Sequence, residues 1–129
     1  MPCRYVIDKT RRLVISTGWD CLTYAEMKAH QDQLLSDANL DPEFNQLMDA
    51  TAVTSLELSA EEMQMLAKRR VFSPKSRRAW VASQPAVYGM GRLASVHHNS
   101  ANAPTEFVAF YDMASALEWL GRKTENQPA

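Results

Sequence analysis

Ala79-Trp80-Val81-Ala82 runs directly into Ser83-Gln84-Pro85-Ala86-Val87-Tyr88, and this junction decides the fold. An apolar run without polar alternation is a strand covered on both faces, the habit of parallel sheets. Pro85 stands where the first turn of a helix tolerates a missing N–H, so a helix is expected over Ala86–His98.

The alternation repeats in both directions. Toward the C-terminus, Asn99–Pro104 reads as a polar loop and Glu106–Phe110 as the last strand. Asp112 is placed to cap a final helix, with Met113, Ala116, Leu117 and Leu120 inward and Gly121 as its stop. Toward the N-terminus, Phe44–Asp49 reads as a strand, followed by the capping box Ser59-Ala60-Glu61-Glu62. There the Ser59 hydroxyl accepts from the Glu62 N–H while the Glu62 carboxylate reaches back. Leu58 and Met63 form its hydrophobic staple, and Met63, Leu66 and Ala67 mark the buried stripe. Thr23-Tyr24-Ala25-Glu26 repeats the device, with Leu22 and Met27 as staple. Tyr24, Met27, Gln31 and Leu34 then share one helical face, with Leu35 beside them, and Asn39–Pro42 turns the chain. Arg4–Ile7 and Leu13–Thr17 flank the polar Asp8-Lys9-Thr10-Arg11 and read as a β-hairpin whose second strand ends at Gly18.

The order is therefore β-β-α-β-α-β-α-β-α. It predicts an α/β fold with a mainly parallel or mixed five-stranded sheet, an N-terminal hairpin and helices on both faces. The 129 residues suit one domain, expected over 1–123, with a polar tail at 124–129.

Composition narrows the function classes. With 46% hydrophobic and 22% charged residues the chain is of globular type and can fold without disulfides or metal. A net charge of −1 gives no chain-wide attraction to nucleic acid or anionic membrane. The N-terminus lacks a long apolar run and nothing approaches the length of a membrane span. Cys3 and Cys21 alone do not make a disulfide framework, so a cytoplasmic setting is expected.

Three stretches carry a family likeness: Asn45-Gln46-Leu47-Met48-Asp49 leading into a capped helix, Arg78–Ala82 followed by Tyr88-Gly89-Met90-Gly91-Arg92, and Glu106–Phe110 followed by Ala114–Leu120 with Trp119-Leu120 near its end. On these the chain resembles the small bacterial SpoIIAA-like proteins, which share the STAS fold of anti-sigma-factor antagonists and look distantly like lipid-binding CRAL-TRIO domains. The resemblance covers most of the chain from Leu13 onward. It implies a non-enzymatic regulatory or protein-interaction module with a protein partner or self-association. Antagonists of that family carry an Asp-Ser-Ser-Gly or Asp-Ser-Thr-Gly turn whose second hydroxyl residue is phosphorylated. The matching turn here is Glu57-Leu58-Ser59-Ala60, in which only Ser59 keeps its hydroxyl. The phosphoswitch motif is thus incomplete, and Ser59 stands as phospho-acceptor or as helix N-cap.

Lys68–Arg78 holds six of the 14 basic residues. It reads either as a site for an anionic ligand or acidic partner, with Arg92, or as a solvated helix end whose cations suit the macrodipole. Lys75, Arg77, Arg78, Arg92 and Tyr88 are the candidate anion- or ligand-binding residues. Gly89-Met90-Gly91-Arg92-Leu93-Ala94 matches G-x-G-x-x-A, but the dinucleotide fingerprint needs its first glycine at the strand-to-helix turn, and Ser83–Tyr88 intervene. No cofactor is expected, and Gly89 and Gly91 are read as close-packing positions. His97 and His98, adjacent on a helix, make a poor chelate, and with no H-E-x-x-H or C-x-x-C no metal site is expected. Leu93 and Val96 set the apolar face beside that pair. Neither cysteine has the surroundings of a catalytic thiolate, and no G-x-S-x-G is present, so no catalytic residues are assigned.

Beside the interaction module stands a second reading: a small-ligand or lipid-binding protein with an apolar pocket and a basic rim. Met27, Met63, Met65, Trp80, Tyr88 and Met90 would line that pocket. An enzyme is the third.

Overall fold

The computed structural model describes residues 2–99 and 106–122. Its elements are β1 Cys3–Asp8, β2 Leu13–Thr23, α1 Tyr24–Ser36, β3 Asn45–Glu57, α2 Ala60–Lys68, β4 Arg77–Ala82, α3 Pro85–Asn99, β5 Glu106–Phe110 and α4 Met113–Gly121. The tail expected at 124–129 and the loop expected at Asn99–Pro104 lie outside the described residues, apart from Asn99, which still belongs to α3.

The strands lie in sequence order, β1-β2-β3-β4-β5, in one five-stranded sheet. β1 runs antiparallel to β2, and β2 to β5 are mutually parallel. The mixed sheet with an N-terminal hairpin is thus as the sequence predicts. α1 packs on α2 and α2 on α3, all on one face, while α4 packs on β3, β4 and β5 from the other. Period-two alternation divides β4 between two cores. Trp80 and Ala82 join Leu22, Met48, Val53 and Met63 under α1–α3, whereas Ala79 and Val81 join Leu13, Leu47, Ala116 and Leu120 under α4.

Both capping boxes form. Thr23 Oγ1 accepts from the Glu26 N–H, and the Thr23 N–H donates to Glu26 Oε2. Ser59 Oγ accepts from the Glu62 N–H at 3.1 Å, and the Ser59 N–H donates to Glu62 Oε1 at 2.9 Å. Asp112 Oδ1 accepts from the Ser115 N–H. Ser59→Ala should therefore lower stability by about 1 kcal/mol, while Ser59→Asp, an equally good cap, should leave it nearly unchanged. Urea midpoints of the two variants check this, and equal losses would show that the cap contributes nothing.

β1 and β4 are two residues longer than predicted, and β2 and β3 run well beyond their predicted ends. Gly18 does not end β2, which continues to Thr23 through register shifts at Thr17/Trp19 and Asp20/Cys21, with Asp20 at φ 55°. β3 continues beyond Asp49 to Glu57. The two extensions exist because they pair with each other, Asp20 opposite Val53 and Leu22 opposite Leu56, and bury Leu22 and Val53. Gly18 serves that packing: a Cβ there would stand 3.0 Å from Leu22 Cδ1 and 3.2 Å from Met48 Cε. Of the two α3 glycines only Gly91 is a close-packing position, against Trp80; a Cβ on Gly89 meets nothing within 4 Å. Val96, expected on an apolar face, is exposed.

Candidate ligand-binding site

On the α1–α3 side a partly enclosed cavity of about 60 Å³ lies between the sheet and the three helices. Its walls are mostly apolar: Met27 and Leu34 from α1, Met63 and Leu66 from α2, Met48, Trp80 and Phe107 from the strands. Met65, expected in such a lining, is exposed, and Tyr88 and Met90 pack against the core without lining the cavity.

Into this apolar surrounding the chain brings a line of polar side chains. Gln46 and Arg78 face each other across the β3–β4 pair, and Ser16 lies one inward step along β2 from Val14, the partner of Gln46. His30 descends from α1, three residues after Met27 and four before Leu34. Ser16 is 0% exposed, Gln46 6% and His30 7%. Arg78 Nε–H donates to Gln46 Oε1 at 3.0 Å, Gln46 Nε2–H donates to Ser16 Oγ at 3.0 Å, and Ser16 Oγ lies 2.8 Å from His30 Nε2.

Protons can be assigned along this line in one direction, from Arg78 to His30. A guanidinium only donates, which orients the Gln46 amide with its NH₂ toward Ser16. Ser16 Oγ receives that bond; with the Ser16 proton assigned to His30 Nε2, the His30 hydrogen lies on Nδ1. That Nδ1 is buried and has no hydrogen-bond partner among the described residues. Burial, aided by the Arg78 charge, pushes the His30 pKa down to about 4, and the imidazole is neutral at pH 7. Arg78 itself sits over the Phe72 and Phe107 rings at 5.0 and 5.4 Å. Burial lowers its pKa to about 10, which leaves it charged at neutral pH. Among the described residues lining the cavity, Arg78 is the one cation and there is no carboxylate.

A serine hydroxyl beside a histidine nitrogen invites comparison with an activated nucleophile. The comparison fails on three counts. Ser16 is sealed from solvent. Its oxygen is already an acceptor for Gln46. His30, with its low pKa and an unpartnered Nδ1, lacks both the basicity and the orienting acceptor that a general base needs. The Cys3 thiol, pushed up to about 11 by burial and then by Glu26, stays protonated. Among the described residues no three His, Cys, Asp or Glu side chains gather to hold a metal ion.

The structure does not bring the sequence-predicted anion residues together. Arg78 alone of the five lines the cavity. Arg77, its strand neighbour, points to the opposite face, where Nε meets Glu106 Oε2 at 3.0 Å and Nη1 donates to the carbonyls of Trp119 and Arg122. Lys75 is 82% exposed in its side chain and lies 3.7 Å from Glu43. Arg92 is exposed on α3. Tyr88 stacks on Tyr111 with ring centroids 3.8 Å apart. The basic stretch is dispersed further where Arg69 pairs with Asp32 and donates to Gln31 Oε1. Ser59 is exposed, with Glu57 and Glu61 close in sequence, and its hydroxyl is occupied by the α2 cap. Sequence reasoning missed Ser16, Gln46 and His30. Their signal was position: each is a polar residue at an inward-facing place of a strand or helix.

No protein-family model and no curated protein matches this sequence. Among solved structures the chain is similar to one described as an uncharacterised protein of the DUF3478 family with a SpoIIAA-like fold, from Shewanella loihica PV-4. The TM-score is 0.59 at 23% identity, covering 92% of this chain and 93% of that one. The likeness defines the class as a SpoIIAA-like α/β fold. No helix among the described residues is long and apolar enough to cross a membrane.

Proposed function

We propose that this protein is a non-enzymatic, cytoplasmic regulatory module whose input is a small acidic ligand, a carboxylate on a compact apolar body. The observation that carries the reading is the line of donors from Arg78 through Gln46 and Ser16 to His30, ending in a buried Nδ1–H without a partner beside an apolar cavity. A buried donor left unmade costs about 1–3 kcal/mol, and a ligand acceptor would recover it. The Arg78 charge in a low-dielectric lining with no carboxylate among the described residues favours an anion over a neutral acceptor. The size of the cavity points to a short chain. Met27, Met48 and Met63 line it, and their unbranched side chains can move aside for a few more carbons.

Titration with acetate, butyrate and hexanoate at fixed ionic strength, followed by amide NMR shifts, tests this. Saturable shifts are expected around Ser16, His30 and Gln46, with the matching alcohols binding more weakly. Arg78→Gln should weaken acid binding by about tenfold or more, the loss of a charge-assisted contact. Absence of saturable binding by every acid, or equal binding of acids and alcohols, would refute the reading.

A further inference from the structure

β1 is an edge strand, and its free side has a particular chemistry. The Trp19 N–H donates to the Pro2 carbonyl at 3.0 Å, continuing the register in which Cys3 faces Gly18. In an antiparallel ladder such hydrogen-bonded pairs alternate with non-bonded ones. Arg4, Val6 and Asp8 therefore turn their backbone polar groups toward β2, while Cys3, Tyr5 and Ile7 turn theirs to the open edge. An open groove of about 730 Å³ follows this edge, bounded by β1 from Tyr5 onward and by Asp37 and Asn39 after α1. The side chains of Arg4, Val6 and Asp8 lie on the sheet face away from α1, and Val6 is 61% exposed.

An unpaired edge is a template for another strand, and proteins that keep such edges apart place lysine, proline or a bulge there. Within Cys3-Arg4-Tyr5-Val6-Ile7-Asp8 there is none of these; Pro2 precedes the strand and Lys9, which lines the groove, follows it. The two charges of the strand have opposite sign and stand symmetrically about Val6. We propose that a second copy of this chain pairs antiparallel along β1, about a two-fold axis through Val6. In that register Tyr5 lies opposite the partner's Ile7 in a hydrogen-bonded pair, which uses the outward N–H and C=O groups of both residues. Val6 meets the partner's Val6, and Arg4 meets the partner's Asp8, in non-bonded pairs where side chains come closest. Moving the axis to Tyr5 would set Arg4 against the partner's Val6. Moving it to Ile7 would carry Arg4 past the strand end to the partner's Thr10. An axis between residues would oppose outward groups with inward ones. Only the register about Val6 satisfies backbone and charges together, and the two-fold interface is self-complementary and closed. This pairing is independent of the ligand reading, since the groove and the cavity share no lining residue.

Sedimentation velocity over about 1–200 µM tests the proposal, because dimerisation follows mass action. The unmodified chain should dimerise. Arg4→Asp alone and Asp8→Arg alone should each weaken the dimer by about tenfold or more, since each sets like charges opposite one another. An equimolar mixture of the two variants should recover it, because aspartate at 4 and 8 in one chain then faces arginine at 8 and 4 in the other. Hydrogen exchange gives a readout that survives a poorly folding variant. In the unmodified chain the Tyr5 and Ile7 amides should slow with concentration, while those of Arg4 and Val6, already bonded to β2, should not. A monomer throughout the range, or a dimer that neither charge variant weakens and whose Tyr5 and Ile7 amides exchange at a constant rate, would overturn the proposal.

Discussion

Gly91→Ala is expected to lower the unfolding free energy by about 1–3 kcal/mol, whereas Gly89→Ala, two residues away, should raise it by about 0.5–1 kcal/mol. Both changes improve helix propensity by about the same amount, so the difference between them isolates packing. A Cβ on Gly91 would stand 2.3 Å from Trp80 Cδ1 and 2.7 Å from its Nε1. The indole has little freedom to withdraw. It is 3% exposed and its Nε1–H donates to the Val87 carbonyl at 3.1 Å, on the same helix that would have to move. Alanine must either lift α3 from the sheet or rotate the ring and forfeit that bond, and overpacking of about 1–3 kcal/mol adds to a hydrogen bond of about 1 kcal/mol. Gly89 has open space around its missing side chain and gains only backbone rigidity. Urea unfolding of both variants gives the two numbers directly. If Gly91→Ala is as stable as Gly89→Ala, then α3 does not rest on Trp80 as described. Because Trp80 and Ala94 also line the cavity, a lifted α3 should weaken any ligand held there as well.

The contrast between the two glycines shows what kind of information the sequence carries. Val87, Gly91 and Ala94 are spaced by four and three and form one helical face, and all three are buried. Gly89 falls off that face. The dinucleotide-like spacing drew attention to the pair, while the packing periodicity, equally legible, separates its members. The helix caps are legible because they are local. Thr23 with Glu26 and Ser59 with Glu62 are caps built within four residues, and they set the starts of α1 and α2. The upper parts of β2 and β3 were not legible, because beyond Asp49 the buried residues are Ala50 and Val53, three apart rather than alternate, and the stretch from Ala52 onward pairs only with β2 beyond Gly18. Arg77 and Arg78 looked like one basic cluster because the apolar run Ala79–Ala82 gives no sign that β4 starts two residues earlier; within the strand, adjacent residues face opposite ways and enter two separate environments.

The candidate site lay hidden for a related reason. Each member looks ordinary alone: a serine in a β-rich run, a glutamine at a strand start, a histidine in a helix. What makes them a unit is that Ser16 and Gln46 come from neighbouring strands and His30 from the helix laid over them. Sheet order supplies that, and no spacing along the chain encodes it. The same arrangement explains why an apolar core tolerates these groups. Within the line, His30 Nδ1 is the one buried side-chain nitrogen or oxygen without a partner among the described residues, so much of the desolvation penalty is offset and the remainder is concentrated at that atom.

That concentration gives the second large effect, which is on acid stability. The folded protein should lose about 3 kcal/mol between pH 6.5 and pH 4 through His30 alone. In the unfolded chain the imidazole takes up its proton as the pH falls through 6.5, and in the folded chain it resists until about 4. The unfolded state therefore binds more protons throughout that window, and stability declines as the pH falls, by up to about 1.4 kcal/mol per pH unit. Well above pH 6.5 both states are neutral at this site and its contribution is flat. The groups packed around His30 do not titrate in the window. The Tyr5 ring meets its edge and is held up at about 12, while Cys3 and Arg78 across the cavity lie at about 11 and 10. Asp32, Asp37 and Asp112, held below the usual carboxylate range by their hydrogen bonds, begin to lose their contribution only at the acid end of the window and lose most of it below. His30→Gln keeps an acceptor for Ser16 and removes the titration, so its unfolding free energy should be nearly level over the window in which the unmodified chain declines. Urea unfolding at half-unit pH intervals measures both curves. Parallel curves would mean that His30 is solvated or already paired at Nδ1, and the unmatched donor on which the ligand reading rests would not exist.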